Sequence, residues 1–151
     1  MKGSMMLTQD TGIARDRIIP VGGTACSAGI ALTQPPNREP ALWKQAIDQM
    51  LEWKTKRSVD NCEDYPTQDV ADTAIDFAVD QSDTGTSAPD SIVPSGGGRI
   101  AMEWNTPFQT IIVEFIGLGA ATYIRFDSAG KVAARDTLRR NPQSRRLQLQ
   151  G

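Results

Sequence analysis

The sequence predicts an α+β domain in which two amphipathic helices pack on a three- or four-stranded antiparallel β-meander, with disordered termini. Three observations predict it. Apolar residues recur at helical spacing between Pro40 and Gln81, the period switches to two from Arg99 onward, and the flanking stretches have neither period. At 151 residues the chain suits one core rather than two. The expected organisation is a mobile leader at 1–39, a single ααβββ domain at 40–134 and a basic tail at 135–151.

The leader carries Pro20, Gly22, Gly23, Gly29, Pro35 and Pro36 among small polar residues; Ile18, Ile19 and Val21 are its one candidate for a short edge strand. The first helix opens at Pro40, whose missing N–H costs nothing in a first helical turn. Leu42, Trp43, Ala46, Ile47, Met50 and Leu51 then form a stripe down one side, while Lys44, Gln45, Asp48, Glu52 and Lys54 fill the other. Lys54, Lys56 and Arg57 lie where the helix dipole favours cations, so the helix should end near Arg57. After a polar link, Ser58 to Pro66, Thr67 is placed to cap a second helix from Gln68 to about Gln81, with Asp69 adding negative charge in its first turn. Val70, Ala71, Ala74, Phe77 and Ala78 share one side of it, and Asp69, Asp72, Asp76, Asp80 and Asp83 share the other.

The linker Ser82 to Ser91 lets the chain turn from helices to sheet. Arg99 to Trp104 places Ile100, Met102 and Trp104 on one strand face and Ala101 and Glu103 on the other. Thr110 to Ile116 is β-branched and apolar apart from Glu114, and Ala121 to Phe126 gives a third strand before the turn at Asp127 to Gly130. Lys131 to Ala134 is a fourth candidate. Ile92 and Val93 can add an edge strand that Pro94, lacking an N–H, would end.

Composition excludes more than it proposes. The chain has no histidine, which removes the commonest general base, the commonest metal ligand and every Ser-His or Cys-His pair. Net charge is −2, so no overall positive excess advertises nucleic acid or an anionic membrane. That balance hides an asymmetry: nine acidic residues and no basic ones lie between Asp60 and Asp90, against six basic and one acidic between Lys131 and Gly151. The most apolar run, Ile111 to Ala121, is far shorter than the ~20 residues of a membrane helix, so no membrane partner is expected. Cys26 and Cys62 fall in different segments and are read as free thiols of a cytoplasmic protein.

The run Ile92-Val93-Pro94-Ser95-Gly96-Gly97-Gly98-Arg99-Ile100-Ala101-Met102-Glu103-Trp104 resembles a pattern of small bacterial proteins, roughly Val-Pro-Ser/Thr-x-x-Gly-Gly-apolar-x-apolar-Glu-Trp. Asn61 to Thr67, the helix after it and Thr110 to Phe115 look like counterparts of that family's remaining elements, with Cys62 and Glu63 standing where the pattern has Trp and Asp. The resemblance spans about residues 40 to 130. No activity is attached to those proteins, some of which are linked to accessory or toxin-associated roles, so it bears on the fold more than on function.

Among chemical candidates, Asp69, Asp72, Asp76 and Asp80 form the strongest signal: a row able to hold a divalent cation or a basic partner, or simply the wet side of a helix. The wet side is the better reading, and no metal or other cofactor is expected. Arg139, Arg140, Arg145 and Arg146 could lie across this face in loose, salt-sensitive pairs. Pro94 to Gly98 reads as turn chemistry, because phosphate loops precede a helix and this one precedes a strand. Glu103 and Glu114, on adjacent strands, are a candidate acid and base pair on one face, although alternation alone accounts for them. The tryptophans read as core. The preferred function is a non-enzymatic interaction or accessory module whose acidic helix face or sheet edge engages another protein, or whose strand Ala121 to Phe126 pairs with its own copy. The alternatives are a carboxylate- or metal-dependent enzyme and a weak nucleic-acid binder acting through the C-terminal arginines. The tail lacks aromatics for base stacking, which argues against the last.

Overall fold

A computed structural model describes residues 30–31, 39–60 and 62–149. The elements are β1 (Ile30–Ala31), α1 (Glu39–Asp60), α2 (Gln68–Asp83), β2 (Ser91–Ser95), β3 (Arg99–Asn105), β4 (Gln109–Gly117), β5 (Ala120–Asp127), β6 (Val132–Arg140) and β7 (Leu147–Leu149). The fold is α+β, and its strands form one antiparallel sheet in the order β1-β2-β3-β4-β5-β6-β7. The strand count exceeds the expected three or four. Ile18, Ile19 and Val21, the leader's candidate strand, lie outside the described residues, whereas Ile30–Ala31 of the same leader pairs with Ile92 and Ser91.

Both helices cover one face of the sheet. In α1 the buried positions are Leu42, Trp43, Ala46, Met50 and Trp53. Leu51 belongs to the expected stripe but is 46% exposed, because the inward row drifts to Trp53, which is 2% exposed. In α2, Val70, Ala71, Ala74 and Ala78 are buried as expected, together with Thr73. These small side chains let the sheet approach closely, and Phe77 meets Phe115 edge-on at 5.2 Å between ring centroids. The sheet contributes Ile92, Ile100, Met102, Val113, Phe115, Ala121 and Leu138 to the same core. Each large side chain fully withdrawn from water there stabilises the fold by about 1.5–3 kcal/mol.

Polar groups caught in this packing are satisfied by specific partners. Thr73 Oγ1 accepts the Gly119 N–H at 2.9 Å, closing the β4–β5 turn onto α2. Two indoles clamp the linker after α2: Trp43 Nε1 donates to the Thr86 carbonyl at 2.7 Å and Trp104 Nε1 to that of Ser87 at 2.8 Å. The rings themselves lie 6.4 Å apart. Glu39 accepts the Ala88 N–H at 2.7 Å. The linker is thus fastened from both layers.

Thr67 caps α2 as expected, its hydroxyl accepting the Val70 N–H at 3.3 Å. Its own N–H donates to the Gly98 carbonyl at 2.9 Å, which docks the glycine-rich turn on the start of the helix. Gly97 and Gly98 both have φ +78°, in the left-handed region where glycine alone is free of strain. A side chain at Gly98 would also meet Thr67 Cγ2 at 2.7 Å. The resemblance-bearing run is therefore explained by packing: its last two glycines shape a docked turn, and its Trp104 holds the linker.

Three expectations need correction. The strand Ala121 to Phe126 is not an edge: β5 is bonded to β4 on one side and β6 on the other, so it offers no backbone to a second copy. The basic tail is not free chain, since residues 135–140 belong to β6 and 147–149 to β7, which pairs Leu138 with Leu149 and Arg140 with Leu147. Pairing with β5 and β6 supplies the hydrogen bonds that the polar composition does not advertise. Finally, Cys62 is disulfide-bonded rather than a free thiol; the only other cysteine of the chain, Cys26, lies outside the described residues.

Candidate interaction surface

The acidic row of α2 and the C-terminal arginines meet in part. Asp76 receives Arg140 from the end of β6 at 3.2 Å, and Asp80 receives Arg146 from the β6–β7 turn at 2.8 Å. Asp72 is taken by Lys54 of α1 at 2.6 Å. Arg145 borders the same groove, held by its turn at φ 63°. Asp69 is exposed in the first turn of α2, where a carboxylate complements the helix dipole. Arg139 sits one position from Arg140 and so points to the opposite side of the sheet.

Each of these ion pairs is at least partly solvated and contributes about 0.2–1 kcal/mol. Their larger effect is to occupy the row. Asp72, Asp76 and Asp80 answer cations of the same chain, and the groove beside them, about 430 Å³, is walled by Arg140, Arg145 and Arg146 as well as by Asp76, Asp80 and Asp83. Among the described residues no group of three or more acidic or cysteine side chains is arranged to hold a metal ion.

Glu103 and Glu114 do share a face, the one away from the helices, but on diagonal positions: Glu103 lies opposite Ile112, and Glu114 opposite Ala101. Glu103 accepts from Asn105 Nδ2 at 2.7 Å, and Glu114 accepts from Ser95 Oγ at 2.7 Å with Arg99 at 3.6 Å. Each carboxylate is held by its own neighbours. Among the described residues the two carboxylates stand on diagonal positions with separate partners, not as a facing acid and base pair.

This outer face is the surface that sequence reasoning missed. Register fixes its rows: Glu103, Ile112, Ile124 and Arg135 stand side by side across β3 to β6, next to a second row of Val93, Ala101, Glu114, Thr122 and Thr137. Phe126 and Val132 extend it toward the hairpin tips, where Pro107, Ile112 and Phe126 line a shallow depression of about 360 Å³. Phe108 at the neighbouring tip is 78% exposed. Val93, Ala101, Ile112, Ile124 and Phe126 are all partly exposed, and no helix lies over them among the described residues. The available signal was Thr110 to Ile116, apolar on both faces of the strand where a half-solvated strand would alternate.

The edges of the sheet are less accessible. On one side, among the described residues, β1 pairs with Ser91 and Ile92, and β2 beyond them carries Pro94, which has no N–H to offer. On the other side β7 is three residues long. No helix of the described residues is long and apolar enough to cross a membrane. No family model matches the chain, and the search of curated proteins and that of solved structures return no match either.

Proposed function

We infer that the chain is a non-enzymatic protein-interaction module that engages its partner through the uncovered face of the sheet rather than through the acidic helix. The observation that carries this reading is the row of Ile112 and Ile124, flanked by Val93, Ala101 and Phe126, left partly open to water across the middle strands. Contiguous apolar surface of this kind is characteristic of docking sites. Its charged residues stand among and around the apolar ones, an arrangement that favours a specific partner over indiscriminate adhesion. The in-chain partners of Asp72, Asp76 and Asp80 speak against that helix as the docking face.

The test uses the intact chain as bait in a lysate of its source, with Ile112→Lys and Ile124→Lys compared against Asp76→Asn and Asp80→Asn. The sheet-face variants should lose the captured protein while the helix variants retain it, all four keeping the circular dichroism of the parent. The reverse pattern refutes the reading.

A further inference from the structure

We propose that the partner accommodated by the outer sheet face is a second copy of this chain, stacked face to face about a two-fold axis running between β4 and β5 and parallel to them. This rests on the reading that the outer face is the docking surface, and goes beyond it by naming the occupant.

The row Glu103, Ile112, Ile124, Arg135 crosses β3 to β6 on the outer face. Rotation by 180° about that axis exchanges β4 with β5 and β3 with β6 while preserving position along the strands. Ile112 of one copy then faces Ile124 of the other, and Glu103 faces Arg135. Within one chain the last two stand three strand spacings apart, roughly 14 Å, too far to pair. Neither has an ion-pair partner among the described residues, whereas Asp72, Asp76, Asp80 and Glu114 all do. One operation supplies each copy with the opposite charge twice over, which is the self-complementarity an isologous interface requires.

The neighbouring rows are compatible. Ala101 would face Thr137, Glu114 would face Thr122 and Thr110 would face Phe126, so small or β-branched side chains meet larger ones near the axis. The like charges Arg99 and Arg139 approach at one rim, where Arg99 is already answered by Glu114. Area is sufficient: β3 to β6, at ~4.8 Å spacing and about seven residues each at ~3.4 Å, together with the short overlap of β2 on the partner copy's β7, give a face of roughly 500–600 Å² before side-chain relief is counted. Two such faces reach the ~1,000 Å² total that separates specific interfaces from incidental contacts. Aligned packing of two twisted sheets about 10 Å apart is a standard way of burying such faces. The alternative self-association, by edge pairing, is impeded by Pro94 on one side and the shortness of β7 on the other.

Sedimentation equilibrium of the full chain from 1 to about 200 μM tests the proposal, with charge reversal as the probe. The parent should be a dimer; Glu103→Arg and Arg135→Glu should each weaken dimerisation at least tenfold; the double variant should return to within about threefold of the parent. Ile124→Lys should give a monomer that keeps its circular dichroism. A parent that stays monomeric throughout the range, or a dimer indifferent to both reversals and to Ile124→Lys, overturns the proposal. If the parent is monomeric yet Ile124→Lys still abolishes capture of a different protein, the face remains a docking surface and only the identity of the occupant is refuted.

Discussion

Replacing Gly98 with alanine tests how the β2–β3 turn is fastened to the helices. Two costs are expected, and the structure separates them. The first is conformational: at φ +78° an L-residue is destabilised by about 1–2 kcal/mol. Gly97 has the same φ with nothing within 4 Å of an added Cβ, so Gly97→Ala measures that cost alone. The second is steric. At position 98 the new methyl would lie 2.7 Å from Thr67 Cγ2, and Thr67 cannot swing away without withdrawing the hydroxyl that caps Val70. Disturbing such a cap costs ~0.5–2 kcal/mol, so Gly98→Ala should lose about 1.5–4 kcal/mol in all. With a urea m-value of ~1–3 kcal/mol/M, the two alanine variants should differ in unfolding midpoint by roughly 0.2–2 M. Thr67→Ser deletes the offending methyl and keeps the capping oxygen. In that background Gly98→Ala should therefore cost no more than Gly97→Ala does. Equal losses at the two glycines, or no relief from Thr67→Ser, would show that the turn is not held by this contact.

Three further outcomes follow from single interactions. Thr73→Val removes the acceptor of the buried Gly119 N–H and should destabilise by about 1–3 kcal/mol, with Thr73→Ser close to the parent; equal effects of the two in urea unfolding would contradict the hydrogen bond. A double-mutant cycle with Asp80→Asn and Arg146→Gln should give a coupling of only ~0.2–1 kcal/mol that shrinks in high salt, and a larger, salt-insensitive value would contradict the solvated pair. The Glu52 carboxylate, hydrogen-bonded to Lys56 at 2.9 Å, raises the Lys56 ammonium above the ordinary lysine value. The stabilisation is therefore fully present below that ordinary value and is lost as pH rises through the raised one. Glu52→Gln should move the Lys56 titration, followed by NMR, back down; an unmoved midpoint would sink the attribution.

Much of the fold was legible because local chemistry and tertiary packing agree. Thr67 is a cap by residue type and by geometry, and Ile100, Met102 and Trp104 alternate inward as their spacing predicts. Glycines 97 and 98 read as a turn and are one. Where the reading failed, long-range pairing decided. The segment 132–140 has one buried side chain, Leu138, so it shows no strand period, and its extended form comes from the backbone of β5. Leu147 and Leu149 flank a single polar residue, too short a pattern to register. The meeting of Asp76 with Arg140 and Asp80 with Arg146 was anticipated from charge blocks alone. The outer face was not, because Ile112 and Ile124 become neighbours only through register, and a strand apolar on both sides does not reveal which side is left open.

The succession of strands has a consequence for how the molecule assembles and comes apart. Every strand from β2 to β7 pairs with those adjacent to it in the chain, so the sheet can zip up from any hairpin without first closing a long loop. The loops from β2 to β6 are short, and the one long interval, between β1 and β2, carries both helices and can be closed last. Opening should run the other way, from the margins inward: amide hydrogen exchange is expected to be fastest in β7, slower in β6 and slowest in β3 to β5, where ladders on both sides and the aromatic core beneath must yield together.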